Sequence, residues 1–174
     1  MKTITETLEH LALQWSAPRV PSCQVAEPLE SQVPLKCEVL RRKTPIAIHG
    51  DFPGDLVEMW SAFEESFLFF DSRKTIWGLH LLSHEASANA TKAFSQEAYT
   101  QFIPGDVIIG EFLGDLDRLL VRCDSKTPDY GHIIAVLPDG LRCEWFQIAD
   151  SLFDFMSNYE KLEGEKFWER ASQN

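Results

Sequence analysis

The sequence is poor in the residue groupings that build cofactor loops and metal sites. Its nine glycines never cluster: PGDL, FLGDLDR and PDG hold one each, and none precedes a Gly-Lys-Ser or Gly-Lys-Thr. No phosphate cradle is therefore encoded, and the expectation is no cofactor. Four cysteines, Cys23, Cys37, Cys123 and Cys143, contain no CxxC and no finger spacing; they are expected to be reduced, partly buried thiols. GxSxG and HExxH are both absent. Positive charge is scarce: 16 Lys and Arg face 27 Asp and Glu, a formal charge of -11. Such a surface repels phosphate backbones, which excludes a nucleic-acid partner, yet it favours solubility and complements a basic protein. No apolar run reaches the length of a membrane span. Glu6 and Glu9 interrupt the place where a secretory leader would be apolar. The expectation is a cytoplasmic chain with no membrane partner.

What is present suits a packed interior. Of 174 residues, 44% are apolar and 11% aromatic, enough for one domain over 1–174. Residues 1–45 form an N-terminal helix and a proline-rich connection; 46–163 form a sheet-and-helix body. Ile4, Leu8, Leu11 and Trp15 recur at helical steps, and Pro18 stops them. Pro18, Pro21, Pro28, Pro34 and Pro45 punctuate the connection, with an edge strand in KCEVLRR. A second helix follows Pro53, with Leu56, Trp60 and Phe63 inward. SFLFFD and TIWGLHLL are strands around a DSRK turn, and Gly78 marks a bulge or a close backbone approach. SHEASANATKAFSQEAY is a short exposed helix or a loop with helical turns.

VIIGEF is a strand that reverses at Leu113-Gly114-Asp115-Leu116. Arg118, Leu120 and Arg122 then share one face, predicted to be the wetter one, and Leu119, Val121 and Cys123 the other. HIIAVL is a covered central strand, and LRCEWF an alternating one with Cys143 and Trp145 on one face. Ser151 caps a last helix bearing Leu152, Phe155, Tyr159 and Leu162, which Gly164 ends; Phe167 and Trp168 pin the tail. Runs of strands bounded by helices give α+β, a mostly antiparallel central sheet packed against helices.

No residue set points firmly to catalysis. His80 and His84 stand four apart beside Glu85, but a strand and a turn place them, so the helical metal spacing loses its meaning. Asp106, Glu111, Asp115, Asp117, Asp124 and Asp129 are interleaved with Arg118, Arg122 and Lys126 at turns, the pattern of a wet surface rather than a fixed carboxylate pair. Trp60 and Trp145 are expected in the core. Trp77 could anchor a partner, and Tyr130, in a polar loop, could touch one.

The order of PGDLVEMW, FLFFD with TIWGLHLL, IPGDVIIGEFLGD, LLVRCD, GHIIAVLPDG and ADSLFDFM resembles the SUKH superfamily, which includes bacterial toxin-immunity proteins and the yeast cell-wall-synthesis regulator. The resemblance spans Pro53 to Phe155. It implies a SUKH-like, non-enzymatic binding module, an immunity protein that occludes a cognate, basic, nuclease-like toxin. A regulatory or scaffolding module, an enzyme using acidic loops, and a homodimer are the alternatives. Turn position and chemistry nominate Glu111, Asp115, Asp117, Asp124, Asp129, Tyr130 and Trp77 as partner-binding. The partner is a toxin or another protein, with monomer and homodimer both open.

Overall fold

The computed structural model describes residues 2–24, 32–73, 76–97, 101–137 and 139–171. Pro28, Lys74 of the DSRK turn and Pro138 of the following turn lie outside the described residues.

α1 (Ile4–Gln14) begins with a reciprocal cap: the Glu6 amide donates to the Thr3 hydroxyl, and the Thr3 amide donates to the Glu6 carboxylate. After the connection come β1 (Lys36–Arg41), α2 (Gly54–Ala62) and β2 (Phe63–Phe70), the last two joined with no linker. β3 (Leu79–Leu81), α3 (His84–Glu97), β4 (Asp106–Phe112), β5 (Arg118–Arg122), β6 (Ile133–Val136) and β7 (Phe146–Ala149) follow. α4 (Leu152–Lys161) and α5 (Phe167–Ala171) close the chain. The seven strands form one sheet in chain order, every neighbouring pair antiparallel. The α+β class with an antiparallel sheet packed against helices is what the structure shows.

Helices cover the sheet unequally. One face meets α1, α2, α4 and α5 through Leu8, Leu11, Leu56, Trp60, Phe155 and Tyr159. α1 and β1, both before residue 45, send Ile4, Leu8, Leu11 and Cys37 into that same layer. The other face is covered by α3 and Trp145 over Ile108, Leu120 and Val136. Toward β1 this second face is open: Leu40 is exposed, Phe67 and His80 half-buried.

The main core is aromatic. Phe69 sits edge-on to Trp15 and Tyr159, and Tyr159 stacks on Phe155. Phe69 adopts φ 48 near the end of β2, a cost that its complete burial offsets. Gly164 (φ 87) lies so close that a Cβ there would be 2.4 Å from the Phe69 Cβ. Only glycine fits where the chain leaves α4, and the Gly164 amide donates to the Tyr159 carbonyl.

Several sequence expectations need correction, among them Phe63, which opens β2 instead of lying on the inward stripe of α2. LRCEWF is not a strand: Arg142–Glu144 forms a 3₁₀ turn, with the Glu144 carboxylate accepting the Leu141 amide, and Cys143 is exposed. The Arg118–Leu120–Arg122 face is not the wetter one, since α3 covers Leu120 and ion pairs hold Arg122 inside. TIWGLHLL contributes only three strand residues. α3 is a full helix with a buried edge, Ser87 and Phe94, rather than an exposed one.

Replacing Phe155 by Ala removes a fully buried ring between Tyr159 and Trp168. The expected cost is about 3–5 kcal/mol in urea unfolding, with an unchanged denaturant slope; a cost under about 1 kcal/mol would contradict the packing described.

Candidate functional site

The nominated residues fall at opposite ends of the sheet, because Asp115 and Asp117 sit in the β4–β5 reversal while Asp124, Asp129 and Tyr130 follow the far end of β5.

At the first end two glycines bring loops into contact. Gly78 (φ 120) lets the chain pass the end of β2, where a Cβ would lie 2.6 Å from the Phe70 Cα. That is the close approach expected of it. Gly114 (φ 89) does the same for the hairpin, which seats against Ile76; the Leu113 amide donates to the Gly78 carbonyl at 2.8 Å. Ile76, Trp77 and Leu116 are left 55%, 42% and 64% exposed. Trp77 and Ile76 border a cleft of about 240 Å³ floored by Phe112, Tyr159 and Gly164.

Lys166 lies across this cleft. Its amine pairs with Asp115, with Asp117 at 2.7 Å and with Glu169 at 3.5 Å, and stands 4.8 Å from the Phe112 ring centre. Burial alone would lower the Lys166 pKa, but hydrogen bonds to Asp115 and Asp117 outweigh it and hold the pKa above its ordinary value. The structure thus brings Trp77, Asp115 and Asp117 together, with both acids already engaged by a cation. Lys166, Ile76 and Leu116 were not found by sequence reasoning. Leu116 carried a signal, an apolar residue at a hairpin tip, whereas the approach of Lys166 from a segment about fifty residues away carried none. Glu111 stands apart on the open sheet face, 3.4 Å from Arg118 and in register with His80.

The other end is organised by a buried ion network. Asp106, wholly buried, accepts from Arg122 at 2.6 Å and from Arg142 at 2.6 and 3.1 Å, and also takes the Ile103 amide. Arg122, 2% exposed, also reaches Asp129 at 2.8 Å and the Pro104 carbonyl at 3.0 Å. A hydrogen bond from Thr127 holds the Asp129 carboxyl below its ordinary pKa; burial opposes it, and the hydrogen bond and charge of Arg122 add to the lowering. Asp124 accepts the Lys126 amide within its own turn. Tyr130 is half-buried; burial first, then the Asp51 carboxylate, raises its pKa. Asp129 is therefore a scaffold residue, and Asp124 shapes a turn.

Chemistry of the thiol type is disfavoured at the two sheet cysteines. Burial pushes the Cys37 and Cys123 thiols up to about 12, which keeps them protonated and unreactive near neutrality. His80 stacks on Phe67 at 4.2 Å and meets Glu65 at 3.0 Å, whereas His84 packs against Trp60. The two histidines do not share a site. Among the described residues no group of three His, Cys, Asp or Glu is placed to hold a metal.

Two outcomes follow for the ion network. Arg122→Ala empties the buried centre of the network and leaves Asp106 with Arg142 as its one remaining cation, and should cost about 3–5 kcal/mol in chemical denaturation; a loss under about 1 kcal/mol would mean the network does not hold the end of the sheet. Asp129 has a folded pKa below its unfolded one, so its stabilisation is present above the unfolded value and is lost as pH falls through the folded value. Asp129→Asn should therefore flatten the acid limb of a stability–pH curve below about pH 4, and an unchanged limb would refute that assignment.

No family model, no curated protein and no solved structure matches the chain. This corrects the descriptors drawn from the SUKH resemblance: SUKH-like, immunity protein, toxin binding, bacterial and cytoplasmic are set aside. The motifs behind them were a proline-led helix, a Gly-Asp reversal and a capped helix, and any α+β meander can produce these. On location, the structure shows that among the described residues no helix is long and apolar enough to cross a membrane.

Proposed function

We propose that this chain is a non-enzymatic module that binds another protein through the Trp77 end of its sheet. The observation that carries the reading is the exposure of Ile76 and Trp77 at the edge of a cleft, with Leu116 exposed on the hairpin whose Gly114 seats against Ile76. Scattered apolar residues need no explanation, but an exposed tryptophan with two aliphatic neighbours has the make-up of an interface centre. Asp115 and Glu169 border the same patch as a charged rim, which gives a basic partner surface a complementary contact.

The anchor is held ready. Gly78, Gly114 and the Leu113–Gly78 hydrogen bond fix the loops on which Trp77 and Leu116 stand, so little order need be gained on binding. Asp124, Asp129 and Tyr130 lie outside this surface, and Glu111 flanks it on the open face of the sheet.

The test compares wild type with Trp77→Ala and with Leu116→Asp. Capture of a partner by cross-linking in extracts of the source cell should fall about 30-fold or more in the first variant. Thermal unfolding should be unchanged in both. Equal capture by all three proteins would sink the reading. Loss of a wild-type dimer in sedimentation would instead identify the partner as a second copy.

A further inference from the structure

A second opening lies at the other end of β3. That strand stops at Leu81, opposite Gly110, while β4 continues to Asp106. The space between α2 and α3 is a groove of about 310 Å³ lined by Phe52, Trp60, His84, Ala88, Lys92 and Val107. Its size is at the lower end of the range for small-molecule sites, room for one or two fused rings.

The walls are fixed and mostly apolar. The Trp60 indole N–H donates to the Leu82 carbonyl at 3.1 Å, which locks the ring in place. Phe52 meets Trp60 edge-on at 5.2 Å and 86°, and His84 meets it at 4.9 Å and 62°. Ser87 and Thr91, also on the wall, are already committed: Ser87 donates to the Ile108 carbonyl, and Thr91 accepts the Ile108 amide at 2.9 Å. His84, Ala88 and Lys92 stand four apart along one face of α3.

Among the lining residues Lys92 carries the only fixed charge, and it is exposed at the mouth. No ion pair engages its amine among the described residues. On a chain of net charge -11, a cation above an aromatic slot selects for one kind of guest.

We propose that this groove is a binding site for a small aromatic acid. The flat ring lies among Phe52, His84 and Ala88, over the enclosed Trp60 ring, and the anionic group meets the Lys92 amine. Ring–ring contact supplies the affinity, and the charge selects the anion over a neutral analogue. The inference is independent of the Trp77 surface and does not require a protein partner.

The probe is 8-anilinonaphthalene-1-sulfonate, paired with N-phenyl-1-naphthylamine, which has the same rings without the anion. Equilibrium dialysis of wild type should give one saturable site for the sulfonate and at least tenfold weaker binding of the neutral compound. Lys92→Glu should weaken the sulfonate about tenfold and leave the neutral compound unchanged. Ala88→Trp should abolish both, with cooperative thermal unfolding retained; if that variant fails to fold, Ala88→Leu should weaken both. Sulfonate binding that is absent, or that survives filling of the groove, would overturn the site. Equal affinity for both compounds would overturn the acid and leave an apolar slot suited to a protein side chain.

Discussion

The length of β3 constrains the rest of the molecule. β2 has eight residues and β4 seven, yet the strand between them has three. Backbone groups of β2 and β4 beyond those three have no partner on β3. Buried groups of this kind are costly unless paired, and the fold pairs them from outside the sheet. At one end the Ile109 carbonyl takes the Leu82 amide, and the Ile108 amide and carbonyl take Thr91 and Ser87 from α3. At the other end the Trp77 carbonyl takes the Asp71 amide and the Gly78 carbonyl takes the Leu113 amide. α3 is thus bound to the sheet by polar side chains as well as by Phe94. Each end of β3 leaves an opening, one bordered by Trp77 and one by Trp60.

Charge is distributed less simply than a total of -11 suggests. Asp106 is wholly enclosed, and Asp117 and Asp129 are each bonded to a cation. These carboxylates belong to the scaffold and contribute little to the outward field. Arg122 ties β5 to the Pro104 turn and the Asp129 loop. Arg142 extends the same network to the 3₁₀ turn, where its guanidinium lies 5.1 Å from the Trp145 ring centre. Enclosing so many charges is tolerable because each guanidinium has several acceptors in a fixed fork. Asp106 and Arg122 are the enclosed pair at its centre, and removal of either leaves the other short of a partner in the interior, which makes the network a lock on geometry more than a source of net stability.

Local rules made much of this visible beforehand. The Ile4–Leu8–Leu11–Trp15 stripe, the Ser151 cap and the reversal at Gly114 each depend on residues close in sequence, and each is present. Trp60 and Trp145 lie in the core as their settings implied. What escaped depends on distant residues. Alternation of Arg118, Leu120 and Arg122 looks like a wet face until Asp106 and Asp129 arrive from other segments to neutralise the arginine. TIWGLHLL has the composition of a long strand, but Gly78 takes φ 120 and the strand begins only at Leu79. Lys166, about fifty residues beyond the hairpin, turned two nominated acids into a latch. The aromatic groove was hidden for the same reason: Phe52, Trp60 and His84 come from the approach to α2, from α2 itself and from the start of α3.

Exposed acids and exposed aromatics do different work in recognition, and the distinction bears on which nominated residues matter. Charges act over about 8–10 Å at physiological salt, so they speed encounter and orient the approach. They are poor at slowing escape, because water competes for them at the rim. In the proposed interface Asp115 would serve the first purpose even while paired with Lys166, since the cluster it belongs to, with Asp117 and Glu169, stays net acidic. Slow dissociation needs apolar area removed from water at the centre of the contact. Within this cluster, Trp77 and its aliphatic neighbours supply that area and the carboxylates do not. An interface here would therefore keep most of its lifetime at high salt while losing its association rate.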